Sequence, residues 1–260
     1  MQTRAIGRFF VALAAATGCH APADRRPFTV AAASDLTAAF GEIGGAFAAK
    51  TNVHPTISFG STGLLAKQLT QGAPYDVFAA ANESYVEQAV AAGACDGATK
   101  SLYARGRLVV WWPASVAAPP AALADLADPR FVHVAIANPE HAPYGRAAEQ
   151  ALARAGVLDA VRPKLVFGEN VRQTLQSAET GNADVAIVAL SLAIGDEKGA
   201  YLPVEQRFHD PIDQAMVVCR HGQNAELGKE FVDFVASKPG RAIMQRYGFL
   251  LPGESLAAGP

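Results

Sequence analysis

Residues of the types that cap helices follow several short apolar runs of this chain. They stand at Ser34-Asp35, Gly60-Ser61-Thr62-Gly63, Ala81-Asn82, Asn138-Pro139 and Glu169-Asn170. Ser, Thr, Asp and Asn are typical of helix N-termini, where unpaired N–H groups and the helix dipole attract anions. Each junction alone is most simply a helix cap. The prediction of an anion site therefore rests on the set, and on Gly60 and Gly63, which let a ligand approach the backbone closely.

The same residue types form no catalytic set. The Gly60–Gly63 segment lacks the GxSxG spacing of a nucleophile turn, and the six histidines fall in no pattern with a serine and an acid. No phosphate-binding GxxxxGK[ST] or dinucleotide-binding GxGxxG motif follows an apolar run. CxxC pairs and Cys/His clusters of the kind that hold zinc are also missing from the sequence. We therefore expect a binding protein, not an enzyme, and no cofactor.

Short runs rich in Val and Ile alternate with helical patterns along the chain. These runs are Phe28–Ala31, Thr56–Phe59, Asp76–Ala79, Leu108–Trp111, Val132–Ile136, Lys164–Phe167, Asp184–Val188 and Ala215–Val218. Their apolar character is typical of strands buried on both faces. Helical faces are marked by Leu36, Phe40, Ile43 and Phe47, and by Leu227, Phe231, Phe234 and Val235. The alternation predicts an α/β fold of mostly parallel sheets flanked by helices, with helix N-termini at the carboxyl ends of the strands.

The bulk composition is that of a globular protein. The chain has 260 residues, half of them hydrophobic and 18% charged, which is enough for one large or two medium domains. Its formal net charge is −2. A nucleic-acid-binding protein usually carries a basic excess or stripe, so we expect no nucleic-acid partner.

Residues 1–26 are expected to be an export signal and linker. Arg4 and Arg8 precede a short apolar run, and the first acidic residue is Asp24. Cys19 follows small residues at the end of that run, which is typical of a bacterial lipoprotein cleavage site, although Ala16 stands where Leu is usual. Ordinary cleavage after Ala23 is the alternative. The prediction is a periplasmic protein, with a lipid anchor at Cys19 if the first site is used.

Two further cysteines, Cys95 and Cys219, leave two readings open. In an oxidising compartment they can form a disulfide. As free thiols they would instead behave as small buried hydrophobes, which suits Cys219 after the apolar run Met216–Val218.

The junctions resemble those of the periplasmic molybdate-binding proteins of ABC importers. The matching segments, in order, are VAAASDLTAAF, SFGSTGLLAKQL, APYDVFAAANESYV, IANPEHAPYGRAAEQAL and FGENVRQTLQSAETGNADVAIV. The tail KEFVDFVASKPGRAIMQRYGFLLP is also similar to the final helices of that family. The resemblance covers about residues 27 to 252, and PEHAPYG is its most specific motif.

This resemblance implies a two-lobed periplasmic binding protein fold of type II, with the ligand in a cleft between the lobes. Lobe I would comprise residues 27–107 together with 206–260, and lobe II residues 108–205. Ligand binding would close the lobes by a hinge motion.

The resemblance also implies the residues of an oxyanion cage. Ser34 and Ser61 would donate hydroxyl and backbone N–H bonds, and Ala81, Tyr144 and Val171 would donate backbone N–H bonds. The cage would hold the oxygens of the metal oxyanion, with no direct metal ligand.

One position departs from the family pattern. Ala189 stands where a ligand-binding tyrosine is usual, so a hydroxyl donor is missing there. The hydroxyl of Tyr144 is a hypothetical replacement.

The implied function is capture of molybdate or tungstate by a monomer that delivers it to the membrane permease of an ABC importer. The alternative is a binding protein for another oxyanion, such as sulfate or phosphate, or for a small organic acid, because one fold serves many ligands.

Overall fold

A computed structural model describes residues 27–254 of the protein, so the predicted export signal and Cys19 lie outside the described residues. The strands of the described part are β1 (Thr29–Ala33), β2 (Thr56–Gly60), β3 (Val77–Ala80), β4 (Ser101–Gly106), β5 (Leu108–Pro113), β6 (Val134–Ala137), β7 (Leu165–Gly168), β8 (Val185–Ala189), β9 (Gly199–Pro203) and β10 (Ile212–Val218). All eight apolar runs predicted as strands are confirmed.

The strands form two five-stranded sheets, ordered β2-β1-β3-β10-β4 and β7-β6-β8-β5-β9. The chain crosses from the first sheet to the second between β4 and β5, and returns between β9 and β10. We call the first sheet and its helices lobe I, and the second sheet and its helices lobe II. The predicted α/β fold with two lobes is confirmed, whereas the boundaries at residues 107 and 205 stay a prediction.

The sheets are mixed rather than mostly parallel. In lobe I, β1 pairs in parallel with β2 and β3, while β10 runs antiparallel to β3 and β4. Lobe II repeats this arrangement, with β6 parallel to β7 and β8, and β5 antiparallel to β8 and β9. The antiparallel pairs arise where the chain changes lobe. The edge strands β4 and β9 were missed because both are partly exposed and lack a continuous apolar run.

The helices lie on both faces of the sheets. They are α1 (Thr37–Thr51), α2 (Thr62–Thr70), α3 (Glu83–Ala91), α4 (Pro143–Arg154), α5 (Leu158–Val161), α6 (Val171–Glu179), α7 (Leu190–Ala193), α8 (Ala225–Ala236) and α9 (Lys238–Arg246). In lobe I, α2, α3 and α8 contact the sheet and α1 packs on α8 and α9, whereas α4, α6 and α7 cover the sheet of lobe II.

An aromatic cluster joins α1, α8 and the segment before β1. The ring of Phe231 on α8 lies 5.3 Å from Phe47 and 5.7 Å from both Phe28 and Phe40, with edge-on geometry in each pair. Edge-to-face rings at these distances stabilise a core beyond the area they bury. The two helical faces predicted from apolar spacing therefore pack against each other, and they tie the C-terminal helices to the start of the chain.

Cys95 and Cys219 form a disulfide within lobe I, which settles the choice between a bridge and free thiols. The bridge joins the segment after α3 to the end of β10. Backbone hydrogen bonds flank it, from Asp96 N–H to the Val218 carbonyl at 2.8 Å and from Arg220 N–H to the Ala94 carbonyl at 2.8 Å. It therefore fixes the returning strand β10 to the rest of its sheet.

Two absences hold for residues 27–254. No helix there is both long enough and apolar enough to span a bilayer. Within the same range, no group of three or more His, Cys, Asp or Glu side chains could hold a metal ion.

Candidate ligand-binding site

A narrow cavity lies between the lobes, at the carboxyl ends of strands of both sheets. Its volume of about 10 Å³ is close to that of one water-sized sphere, so only a compact ligand can enter without the lobes parting. Neither Lys nor Arg is among its lining residues, which are Ala33, Ser34, Asp35, Gly60, Ser61, Thr62, Ala81, Ala142, Pro143, Tyr144, Asn170 and Val171. All five residues expected for the cage are therefore brought together.

Lobe I supplies hydroxyl groups from the ends of β1 and β2. Ser34 is buried and begins a short 3₁₀ turn that leads into α1. Ser61 is also buried and holds the N-cap position of α2, yet its side chain makes no capping bond. The Ser61 hydroxyl therefore bonds to a group outside its own helix, so an anion that takes its hydrogen must compete with that partner.

Ala81 lies in the cavity lining, but its N–H group already has a partner. It donates to Oγ1 of Thr62 at 3.2 Å. Thr62 is buried at the first position of α2, and sequence reasoning did not single it out. A ligand that takes the Ala81 N–H must compete with this hydroxyl or share the donor with it.

Lobe II supplies backbone N–H groups from the first turns of α4 and α6. The side chain of Asn170 caps α6 by accepting from the N–H groups of Arg172 and Gln173 at 3.1 and 3.0 Å. This cap leaves the N–H of Val171, the first helical residue, without an intrahelical partner. Tyr144 holds the second position of α4, where Pro143 begins the helix, so its N–H is likewise available.

His141 bridges the mouth of the cleft. Its Nδ1 lies 2.8 Å from Oγ of Ser61, and its carbonyl accepts from the Ser61 hydroxyl at 2.8 Å and from the Gly63 N–H at 2.9 Å. A Cβ on Gly63 would stand 2.8 Å from the same carbonyl oxygen, so only glycine fits this close approach of the lobes. The structure is therefore closed, and the PEHAPYG turn makes a direct contact with lobe I.

A buried polar network lies beneath the cavity. Asp35 is fully buried, and its Oδ2 accepts from Nε2 of Gln214 at 2.7 Å. The same Nε2 donates to the hydroxyl of Tyr144 at 3.2 Å, and Oε1 of Gln214 accepts from the hydroxyl of Tyr103 at 2.7 Å. Ser191, on α7 of lobe II, donates from its hydroxyl to the backbone carbonyl of Asp35 at 2.7 Å. Both lobes thus contribute to one network.

Burial dominates the ionisation of this network. It raises the pKa of Asp35 from 3.8 to about 6, although hydrogen bonding to Gln214, to Tyr144 and to its own backbone lowers it. Burial, together with the nearby Asp35 charge, also raises the pKa of Tyr103 and of Tyr144 well above 10, so both phenols are neutral.

The hydroxyl of Tyr144 therefore faces Gln214 and Asp35. The suggestion that it replaces the missing donor at Ala189 stays a hypothesis. Ala189 precedes α7 and is absent from the cavity lining. Arg172 pairs with Glu179 at 3.3 Å rather than entering the cavity.

Two α/β lobes, a closed cleft and converging helix N-termini define a two-lobed solute-binding protein. The chain belongs to the bacterial extracellular solute-binding protein family, whose model matches residues 28–250. Because the members of this family are extracellular, membership confirms the expected location outside the cytoplasm.

Relatives and solved structures agree with this assignment. The molybdate-binding protein ModA of Rhodobacter capsulatus is 36% identical, over 92% of this chain and 94% of its own length. ModA of Azotobacter vinelandii is 34% identical over 85% and 88%. The solved A. vinelandii periplasmic molybdate-binding protein superposes with a TM-score of 0.80 at 29% identity, covering 86% of this chain and 99% of that one. The resemblance seen in the sequence is confirmed.

The fold is shared more widely than the ligand. The sulfate-binding protein SubI of Mycobacterium tuberculosis superposes with a TM-score of 0.74 at 16% identity, covering 87% of each chain. At that identity the likeness shows the fold alone.

Proposed function

We propose that this protein captures molybdate, and tungstate equally well, and delivers it to the membrane permease of an ABC importer. The observation that carries the proposal is the interlobe cavity, which is lined by hydroxyl and backbone N–H donors and, within the described part of the chain, by no cationic side chain. Relatives named for molybdate binding match over most of their length and direct the choice of ligand.

Neutral donors suit a fully deprotonated tetrahedral anion. All four of its oxygens accept hydrogen bonds, and each charge-assisted bond contributes about 1.5–3 kcal/mol. Several such bonds, offset by desolvation and lobe closure, are consistent with submicromolar affinity. Tungstate has nearly the same size as molybdate, so the cage has no means of separating the two, whereas the smaller sulfate should bind more weakly.

The remaining parts of the proposal concern partners and location. The protein acts as a monomer in the periplasm, and lipidation at Cys19 would tether it to a membrane. It catalyses no reaction and needs no cofactor or nucleic acid. The cleft rim on both lobes is the surface from which the permease would receive the anion.

Isothermal titration calorimetry of ligand-stripped protein tests the ligand. Molybdate and tungstate are expected to give tight one-to-one heats, and sulfate and phosphate little heat. Clear binding of sulfate, phosphate or a small organic acid without molybdate heat would keep the fold and refute the ligand.

Single substitutions test the site. Ser34→Ala and Ser61→Ala should each weaken molybdate binding by roughly 10- to 150-fold, the equivalent of one charge-assisted bond. Ser177→Ala is the matched control, because Ser177 lies on α6 and its hydroxyl donates to the Gln173 carbonyl at 3.2 Å, away from the cavity. Unchanged affinity in both cavity variants would show that the anion binds elsewhere.

A further inference from the structure

Asp35 presents an unusual group for an anion site. Asp35 follows Ser34 directly and is one of the residues that line the cavity, and its side chain is fully buried. Oδ2 has the Gln214 amide as donor, but Oδ1 is buried and has no hydrogen-bond partner. A buried carboxylate oxygen without a donor is costly, because the charge has lost its water without replacement.

The surrounding hydrogen bonds show which oxygen of Asp35 lacks a donor. Gln214 directs its amide donors to Asp35 and to the Tyr144 hydroxyl, while its carbonyl oxygen accepts from Tyr103. The Gln214 amide therefore has no further hydrogen for Oδ1. The Tyr144 hydroxyl also hydrogen-bonds to the Asp35 carboxylate, but not at Oδ1, which has no hydrogen-bond partner among residues 27–254. A proton on Oδ1 would remove the buried charge and leave the existing bond to Oδ2 in place.

Among residues 27–254, no cation is directed at Asp35 to balance its charge. The titratable groups that face it are the neutral phenols of Tyr144 on α4 and Tyr103 on β4. Of the other elements packed against the Ser34–Leu36 turn, β2 and α7 carry no titratable side chain. Several charged side chains on the remaining packed elements form ion pairs away from Asp35, namely Arg172 with Glu179, Arg105 with Asp213, and Glu42 with Arg246. Lys50 and Arg146, on the same elements, are exposed to solvent.

We propose that Asp35 takes up one proton from solvent when the cavity binds a dianion, so that anion capture is coupled to protonation. This inference rests on the proposed function. The dianion forms hydrogen bonds beside Ser34, a proton bonds to Oδ1 of Asp35, and the buried site gains a net charge of −1 instead of −2. No covalent bond other than the O–H bond forms.

The pH dependence follows from the sign of this coupling. The Asp35 pKa, about 6 in the closed structure, rises further when a dianion is adjacent. Affinity is then constant below the pKa of the free protein. Above it, affinity falls by about tenfold per pH unit until the pKa of the complex is reached. Molybdate stays a dianion across this range, so the ligand contributes no slope of its own.

Calorimetry in buffers of different ionisation enthalpy measures the coupling directly. Molybdate is titrated into wild-type protein at pH 7.5 in Pipes, Hepes and Tris, and the observed heat is plotted against buffer enthalpy. We expect a slope near one proton taken up per anion. Tight binding with a slope of zero overturns the proposal, whereas no heat with any oxyanion refutes the proposed function instead.

Two variants assign the proton. Asp35→Asn carries an amide where the protonated carboxyl would be, so it should bind without proton uptake and with an affinity that is flat between pH 6.5 and 8.5. Ser177→Ala, which lies outside the cavity, is the matched control and should keep the full uptake. Uptake that survives in Asp35→Asn, or that disappears in Ser177→Ala, overturns the assignment. If Asp35→Asn does not fold, the number of protons taken up per anion can be measured on the wild-type protein, from the rise in pH when molybdate is added to a weakly buffered solution.

Discussion

Gly63 lies where the two lobes touch, so substituting it should weaken ligand binding without weakening the fold. In Gly63→Ala the new Cβ would meet the His141 carbonyl oxygen at 2.8 Å and the Cα and Cβ atoms of His141 at 3.0 Å. These contacts are shorter than van der Waals distance by several tenths of an ångström, so the lobes must part slightly. That displacement lengthens the bond from Gly63 N–H to the His141 carbonyl, now 2.9 Å, and the two contacts of Ser61 Oγ with the carbonyl and Nδ1 of His141, now 2.8 Å each.

The expected loss is one to two hydrogen bonds of the closed form. At about 0.5–1.5 kcal/mol for each bond, closure becomes less favourable by about 0.5–3 kcal/mol, and molybdate affinity should fall roughly 2- to 150-fold. The free protein should not be destabilised, because Ala favours a helix more than Gly does. Gly63→Ala therefore keeps or raises the melting temperature without ligand while it loses affinity.

Calorimetry and thermal unfolding with and without molybdate measure both effects. Gly45→Ala is the matched control, since Gly45 lies in α1 and a Cβ there would meet no atom within 4 Å. It should gain helix stability and keep its affinity. Wild-type affinity in Gly63→Ala would refute the claim that the bound form has the closed geometry described here.

Three further predictions use other contacts of the two lobes. His141→Leu should accelerate molybdate release in stopped-flow measurements. His141→Asn, which retains a donor near the position of Nδ1, should restore much of the wild-type rate. Equal rates in wild type and both variants would show that the contact between His141 and Ser61 does not hold the lobes closed. Tyr144→Phe removes a hydrogen bond to Gln214, so molybdate affinity should fall by roughly 2- to 13-fold. It also removes a group that lowers the pKa of Asp35, so proton uptake at pH 7 should decrease. Unchanged affinity and unchanged uptake would exclude both roles of the hydroxyl. Replacing Cys95 and Cys219 by Ser should lower the free energy of unfolding by about 2–5 kcal/mol in denaturant titration, because the bridge joins residues 124 positions apart in the chain. Molybdate affinity should not change, because both cysteines belong to lobe I and lie outside the cavity lining; a loss of affinity would show that the bridge also shapes the cleft.

The parts of the fold that sequence reasoning reached are those encoded locally. Continuous apolar runs predicted the buried strands, and several of the residues that follow those runs line the cavity. The edge strands β4 and β9 lack that signal, since a partly exposed residue interrupts the buried ones in β4 and no residue of β9 is buried. The antiparallel insertion of β10 depends on the return of the chain between lobes, which no local pattern reports.

The contacts that the sequence did not reveal join residues far apart in the chain. Ser61 and His141 are 80 positions apart, and Asp35 and Gln214 are 179 apart. A polar Gln214 inside the apolar strand IDQAMVV is a local signal of the buried network. Thr62 was named at its junction but was not among the residues that the family resemblance implies for the cage.

The place of β10 in its sheet has a consequence for the order in which the lobes can form. Strand β10 lies between β3 and β4, and it is synthesised only after all of lobe II. Lobe II is contiguous in the chain and can fold as soon as it has emerged, whereas β4 has no neighbour towards β3 until β10 arrives. Lobe I therefore remains an incomplete sheet for most of the chain's synthesis. The disulfide between Cys95 and Cys219 can form only after β10 has been synthesised, so it joins two parts of lobe I that are made before and after lobe II.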